Sequence, residues 1–507
     1  MTKIPLNLVW LKKDLRLADH APLAAAMMAG NAVAVYVYEP SFIAANEYHT
    51  SHHLFLNQCL AELEASLSSV GVPLVTRIGE IPTVLDDLRR SHGIAALYSH
   101  RETGHQLSFQ RDLRVKDYCQ EFGISWQEFS QNGVIRRLQS RDGWAARWNM
   151  RMSEPIVQLP SSSVVFRGAI KSAGLVGADT FGKDRTTTKI LQLGGATHAA
   201  KTLSSFFEIR GKNYATEMSS PVTAGDSCSR ISTHLAYGTI SMRQIYHQLL
   251  HYLALAEDAP PAAAKITKKS LRAFEARLRW HCHFMQKLED APHIESKNMV
   301  SAYDGLRDEL THPHLLEAWS QGETGYPMID ACMRALLATS WINFRMRAML
   351  VSFASYDLWL PWQLTARHLA RHFLDFEPGI HYSQVQMQSG TTGINTIRIY
   401  NPTKQLLDHD PEGTFVKRYL PELTMVPKEY LAEPWTMPQG LQKEIGCIIG
   451  RDYPDPIVDH ATAVKAARQK LGTARRSNNA KAEAKEILAK HGSRKRPSRR
   501  KSHREGD

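Results

Sequence analysis

Residues 318–343 read Ala-Trp-Ser-Gln-Gly-Glu-Thr-Gly-Tyr-Pro-Met-Ile-Asp-Ala-Cys-Met-Arg-Ala-Leu-Leu-Ala-Thr-Ser-Trp-Ile-Asn, and they constrain the fold more than any other stretch. Gly325 permits a tight turn, and Pro327 suits the first position of a helix, where an N–H would be free anyway. Ile329, Cys332, Met333, Leu336 and Leu337 then recur at helical spacing as one apolar stripe. A turn feeding a buried helix follows. The same periodicity, with Trp, Met and Leu three and four residues apart, runs from about 206 to 470 and predicts an all-α domain. The first 130 residues instead alternate β-rich runs (6–11, 32–38, 73–78, 95–99, 124–128) with amphipathic segments such as 53–67 and 106–122. That alternation predicts a parallel, doubly wound α/β sheet. No G-x-G-x-x-G follows the first strand, so the usual dinucleotide fingerprint is missing there. Residues 131–205 are rich in Ser, Gly and Thr (Ser161-Ser162-Ser163, Thr186-Thr187-Thr188, Gly194-Gly195) and read as a long connection over the surface. Residues 471–507 form a basic tail.

The 507 residues suffice for two or three domains with cores of their own. No apolar run approaches the roughly 18 residues of a membrane span, and the N-terminus enters a strand-like run without a signal peptide. Cys59, Cys119, Cys228, Cys282, Cys332 and Cys447 are scattered with no C-x-x-C pair. That usage suits reduced thiols in a cytoplasm, with no metal site expected. The net charge of +12 is uneven: residues 471–507 hold twelve Lys/Arg and four Asp/Glu, or +8, leaving +4 elsewhere. The tail lacks apolar periodicity, above all over 494–501, and is expected to be disordered. Two readings of it stand: a solvated solubility tail, or an arm that contacts nucleic-acid phosphates by counterion release.

The order Trp319-x-x-Gly322-x-Thr324-Gly325-Tyr326-Pro327-x-x-Asp330-Ala331-x-Met333-Arg334-x-Leu336, closed by Trp341, strongly resembles the flavin-binding helical domain of the photolyase/cryptochrome family. Val9-Trp10-Leu11-Lys12-Lys13-Asp14-Leu15-Arg16-Leu17-Ala18-Asp19 resembles the family's opening strand and turn. Arg398-Ile399-Tyr400-Asn401-Pro402 and Tyr419-Leu420-Pro421-Glu422-Leu423 resemble its closing blocks. Three ordered blocks carry far more weight than one.

The resemblance implies FAD, bent, in the helical domain, and an antenna-type α/β domain. It implies a phosphate-binding turn, Cys228-Ser229-Arg230-Ile231-Ser232, following Tyr214, with Cys228 in a threonine slot; a plain Ser-capped helix is the bland alternative. It sets Arg347 against Asp375 near the isoalloxazine edge, followed by Phe376 and by Glu377, which would accept a hydrogen bond from the flavin. An ordinary buried ion pair is compatible with this. Phe274, Arg277 and His281 are implied cofactor contacts; Arg277, Trp280, Asn343, Phe344 and Arg345 are implied contacts to DNA.

Departures are equally specific. His381 stands where photolyases place an Asn facing flavin N5, so its titration is expected to make flavin photoreduction vary between about pH 6 and 8; the bland alternative is a slipped alignment, with His381 only capping a helix. Arg277 replaces the glutamate that would bond a flipped pyrimidine pair. Of the electron-transfer tryptophans only Trp362 aligns; Val385 and Glu309 fill the other places, with Trp341, Trp359, Tyr356 and Tyr400 as candidate substitutes or simple core. Residues 98–104 lie where relatives hold a folate or deazaflavin antenna, or form only a polar strand-end loop. The implied function is light-driven splitting of cyclobutane pyrimidine dimers in DNA, without sequence preference, by a monomer of a divergent bacterial branch. The alternative is a cryptochrome-like light sensor without repair.

Overall fold

The computed structural model describes residues 4–161, 166, 168–258, 260–307 and 312–492. Five parallel strands, β1 (Leu6–Trp10), β2 (Ala32–Tyr38), β3 (Leu74–Ile78), β4 (Ile94–His100) and β5 (Ser125–Phe129), pair in the order β3-β2-β1-β4-β5. Side-chain alternation along β1 explains why both faces are covered. Leu6, Leu8 and Trp10 enter one apolar core, while Val9 and Leu11 enter the other. Helices α1 (Thr50–Ser69) and α2 (Gln106–Glu121) cross between strands. The strand order reverses between β1 and β4, so a crevice opens beyond the carboxyl ends of those two strands.

The connection 131–205 is more structured than its composition predicts. Helix α3 (Trp144–Met152) lies inside it and the next helix, α4 (Ala196–Glu208), begins there. Trp144, Trp148 and Met152 bury themselves with Leu203, Phe206 and Phe274 in a core of the helical domain. Tryptophan outweighs the local abundance of Ser and Gly, because burying a ring stabilises by more than those residues lose.

The helical domain is built from α5 (Ser232–Tyr237), α6 (Pro261–Asp290), α7 (Pro327–Thr339), α8 (Phe344–Ser352), α9 (Trp362–His372), α10 (Pro378–Ser389), α11 (His460–Arg476) and α12 (Asn478–His491), among shorter pieces. Pro327 opens α7 as expected, and Gly325 has φ +79°, a left-handed turn where a Cβ would meet Asp455 O at 2.4 Å. The motif's Asp330 explains the rest of the turn. Its buried carboxylate accepts Thr324 N–H at 2.8 Å, Gly325 N–H at 3.0 Å and the Tyr453 hydroxyl at 2.6 Å. Burial pushes its pKa up to about 6 despite those donors.

Helices α11 and α12 correct the expectation of a tail disordered from 471 onwards. Leu471 and Ala480 pack against Val300, Tyr303 and Tyr356, and the Ser301 N–H donates to Glu483 at 2.6 Å. Alternating alanines and lysines have high helix propensity, which a charge count does not register. The run 494–501 and Glu309 both lie outside the described residues.

The two domains are clasped at the turn after β1. Leu15 N–H donates to Tyr237 O at 3.1 Å, Arg16 Nη1 to Gly238 O at 3.1 Å, and Arg243 forms a fork on Asp19 at 3.1 and 2.7 Å. Gly238 has φ +67°, and a Cβ there would sit 2.1 Å from Lys13 O. Asp14 lies buried in the same turn between His100 Nδ1 (2.7 Å) and His20 Nε2 (3.2 Å). His20 Nδ1 accepts the Leu23 N–H, and its Nε2 faces Asp14 without an aligned hydrogen bond.

Candidate functional site

Residues 228–232 form a turn ahead of α5, in which Arg230 adopts φ +57°. Four guanidinium groups, Arg230, Arg210, Arg277 and Arg347, act on the Cys228 thiol, although burial outweighs them and lifts it to about 11. The Arg230 side chain stacks on Trp341, 3.9 Å from the ring centroid, and its buried Nε has no hydrogen-bond partner among the described residues. Asp375 closes one side. Its carboxylate accepts a fork from Arg347 at 3.0 and 2.9 Å and a further hydrogen bond from Ser232. Burial works to raise its pKa, but Arg347, Ser232 and Arg230 together hold it below the usual carboxylate range. The turn is thus strongly cationic, with a buried unpaired guanidinium nitrogen, and its residues fit a pyrophosphate.

Several of the expected contact residues have partners within the protein. Phe274 is only 3% exposed and packs edge-on to Tyr214 and beside Phe206, so it is core. Tyr214 is itself buried in that core, and Ile231 is an apolar anchor. Glu377 is engaged by His281, whose Nε2 lies 2.6 Å from its carboxylate. Burial opposes protonation of His281, but the adjacent Glu377 prevails and lifts it to about 10. Asn343 is 3% exposed; its Nδ2 donates to Met218 O and Ser219 O at 3.1 and 2.9 Å, while its buried Oδ1 has no partner among the described residues. Arg345 reaches Ser219 Oγ at 3.4 Å.

His381, on α10, corrects the titration expectation. Its Nε2 donates to Ala366 O at 2.8 Å, and burial with Arg347 nearby lowers it to about 4 despite that bond. The imidazole is neutral between pH 6 and 8. Phe376 meets it edge-on, 5.2 Å between ring centroids. Trp362 is buried and donates to Asn298 Oδ1 at 2.8 Å; Val385 is buried too. Trp359 lies between Arg307 and Lys470, 4.9 and 4.5 Å from its ring, a setting that disfavours further positive charge on the indole.

The face beside this pocket is aromatic and cationic. Trp280 and Phe344 are 44% and 45% exposed, and Arg277 lies over both, at 4.4 and 5.7 Å. On the other side, at the domain junction, a cavity of about 230 Å³ is lined by Trp10, Tyr36, Tyr38, Glu102, Arg111 and Tyr237, and also by His281 and Glu377. Arg101, Glu102, Thr103 and Gly104 of the 98–104 loop contribute to its wall. Burial pushes Glu39 in that wall up to about 7, although Arg111 Nη1 donates to it at 3.2 Å.

Sequence reasoning missed Arg210, which lies beneath the 228–232 turn, and Gln192, whose Nε2 holds Arg230 O at 2.9 Å. Nothing in the local pattern marks either residue. Both act on backbone carbonyls, which leave no side-chain signature.

Comparison with known proteins agrees with this geometry. The FAD binding domain of DNA photolyase matches residues 274–473, and the DNA photolyase domain matches residues 7–142. The chain is 27% identical to deoxyribodipyrimidine photo-lyase of Alkalihalophilus pseudofirmus, over 91% of this chain and 97% of that protein. It is also 27% identical to cryptochrome-1 of Arabidopsis thaliana, over 89% of this chain and 68% of that protein. A crystal structure of a bacterial class III photolyase from Agrobacterium tumefaciens superposes with a TM-score of 0.81 at 26% identity, covering 94% of this chain and 99% of that one.

Proposed function

Given that this chain belongs to the DNA photolyase/cryptochrome family, with an FAD-binding helical domain, we propose that it is a light-driven DNA repair enzyme acting on cyclobutane pyrimidine dimers. The observation that carries the reading is the exposed Trp280–Arg277–Phe344 face beside the cationic turn. Aromatic rings with an interleaved guanidinium suit an unstacked base and its phosphate. The pyrophosphate of FAD would lie at Ser229, Arg230 and Ser232, with Asp375 and Arg347 ordering the turn from the side. Bound in reduced form, FAD supplies a photoexcitable electron donor. The protein's own share is to hold the flavin, keep His381 neutral, and stabilise the lesion outside the helix at a cost of about a few kcal/mol, less for a damaged base. The cavity at the domain junction suits a second, light-harvesting chromophore. Its tyrosine and tryptophan walls would stack on an aromatic ligand, and Arg111 would meet an anionic group.

A sensor without repair activity is favoured by a different observation. Arg277 supplies no carboxylate acceptor for a pyrimidine edge. Blue-light treatment of irradiated oligo-thymidine with the purified, flavin-loaded protein decides between the two. Loss of dimers in light and not in darkness is expected. Persistence of the dimers, alongside normal flavin photoreduction, selects the sensor.

A further inference from the structure

Arg210 spends every N–H it has beneath the 228–232 turn. Its Nε donates to Ser205 Oγ at 3.0 Å, Nη1 to Asp226 O and Cys228 O at 3.3 and 2.5 Å, and Nη2 to Thr202 O and Ser229 O at 2.9 and 3.2 Å. Arginine alone carries five donors in one rigid fork. Among the described residues it forms no ion pair, and the Asp226 carboxylate acts on its charge only from further away. Gln192 Nε2 takes the next carbonyl, Arg230 O. Three consecutive carbonyls of the turn are therefore drawn back onto the protein. In a planar trans peptide the N–H of the following residue points the opposite way. The amides of Ser229, Arg230 and Ile231 thus face outward, the last only loosely held by Ser229 Oγ at 3.5 Å.

We propose that Arg210 is a positioning residue for FAD: it pins the turn so that these amides meet the pyrophosphate, and its charge finds its counterpart in that group. The inference rests on the reading of 228–232 as the pyrophosphate turn. Lysine keeps the charge, but its single nitrogen cannot reach four carbonyls and a hydroxyl at once. Titration of the apoprotein by fluorescence quenching is therefore expected to show Arg210→Lys weakening FAD about tenfold or more, with riboflavin, which lacks phosphate, changed by less than about twofold. Gln192→Ala, which frees one carbonyl at a half-buried position, is expected to show the same selectivity to a smaller degree, and supplies the measurement if Arg210→Lys does not fold. Unchanged FAD affinity, or parallel losses for FAD and riboflavin, overturns the proposal. The double variant Ser229→Ala/Ser232→Ala separates the premise: if it binds FAD like wild type, the turn does not hold the pyrophosphate. If it binds weakly while Arg210→Lys binds normally, the role of Arg210 alone fails.

Discussion

Asp375→Asn keeps the side chain's shape and removes its charge, which isolates what the Arg347 pair contributes. The Asp375 side chain is 4% exposed and its partner 25% exposed, joined by two bonds of 3.0 and 2.9 Å. Breaking a buried pair by removing one partner costs about 3–5 kcal/mol, because a charge is left without its counterpart. Arg347 is a quarter exposed and recovers part of that from water, so the low end, about 3 kcal/mol, applies. For a domain of this size class that corresponds to a fall of roughly 6–12 °C in melting temperature. The loss also has a sign in pH. The Asp375 carboxyl is held below its ordinary range, so its contribution is present above the unfolded value near about 3.9 and vanishes as pH falls through the folded value. Differential scanning fluorimetry of the apoprotein at pH 7, with flavin content measured after reconstitution, is the assay. Lower stability and sharply lower FAD content are expected in the variant, with the stability gap closing in acid. A variant melting within about 2 °C of wild type, with normal flavin content, refutes the reasoning.

Three further outcomes follow from the same geometry. His281 is lifted to about 10 by Glu377, so its stabilising charge is fully present below the unfolded value near about 6.5 and lost as pH rises through about 10; wild type should lose melting temperature between pH 7 and 10 more steeply than His281→Asn, and parallel curves would count against the pair. His381 is lowered to about 4, so photoreduction of bound flavin should show the same pH profile in wild type and His381→Asn from pH 6 to 8 and diverge only near pH 4–5; divergence around neutrality would show that the imidazole titrates there after all. Removing residues 493–507 takes away seven cations, and each lost phosphate contact should flatten the slope of log affinity against log salt by about 0.9 on duplex DNA; an unchanged slope makes the segment inert towards DNA.

What the sequence disclosed depended on the kind of signal each feature leaves. Strand β2 and the start of α7 were legible because β-branched runs, Gly325 and Pro327 act through local backbone preference. The Arg347–Asp375 pair was legible through the family pattern, since its two residues carry the charge themselves. Phe274, Glu377 and Asn343 have protein neighbours that the pattern did not indicate, for one reason. Their sequence positions say which element carries them, but which neighbour meets them there depends on packing: Tyr214 and Phe206, His281, and the Met218–Ser219 carbonyls. The helical residues beyond 470 were hidden by their charge. Arg210 was invisible because its partners are main-chain oxygens, which every residue possesses.

The clasp between the domains governs how the junction cavity acquires an occupant. Gly238 seats against Lys13, Arg16 is tied to the Gly238 carbonyl, and Arg243 is forked onto Asp19, so contacts from both domains hold the two walls at a fixed spacing. The cavity itself stays partly open to solvent. An aromatic ligand between Tyr36 and Tyr237 would therefore meet walls already set apart by the clasp, and would enter and leave through the mouth without the domains parting. Protein made without it would fill when the ligand is added, and its occupancy would follow the ligand concentration.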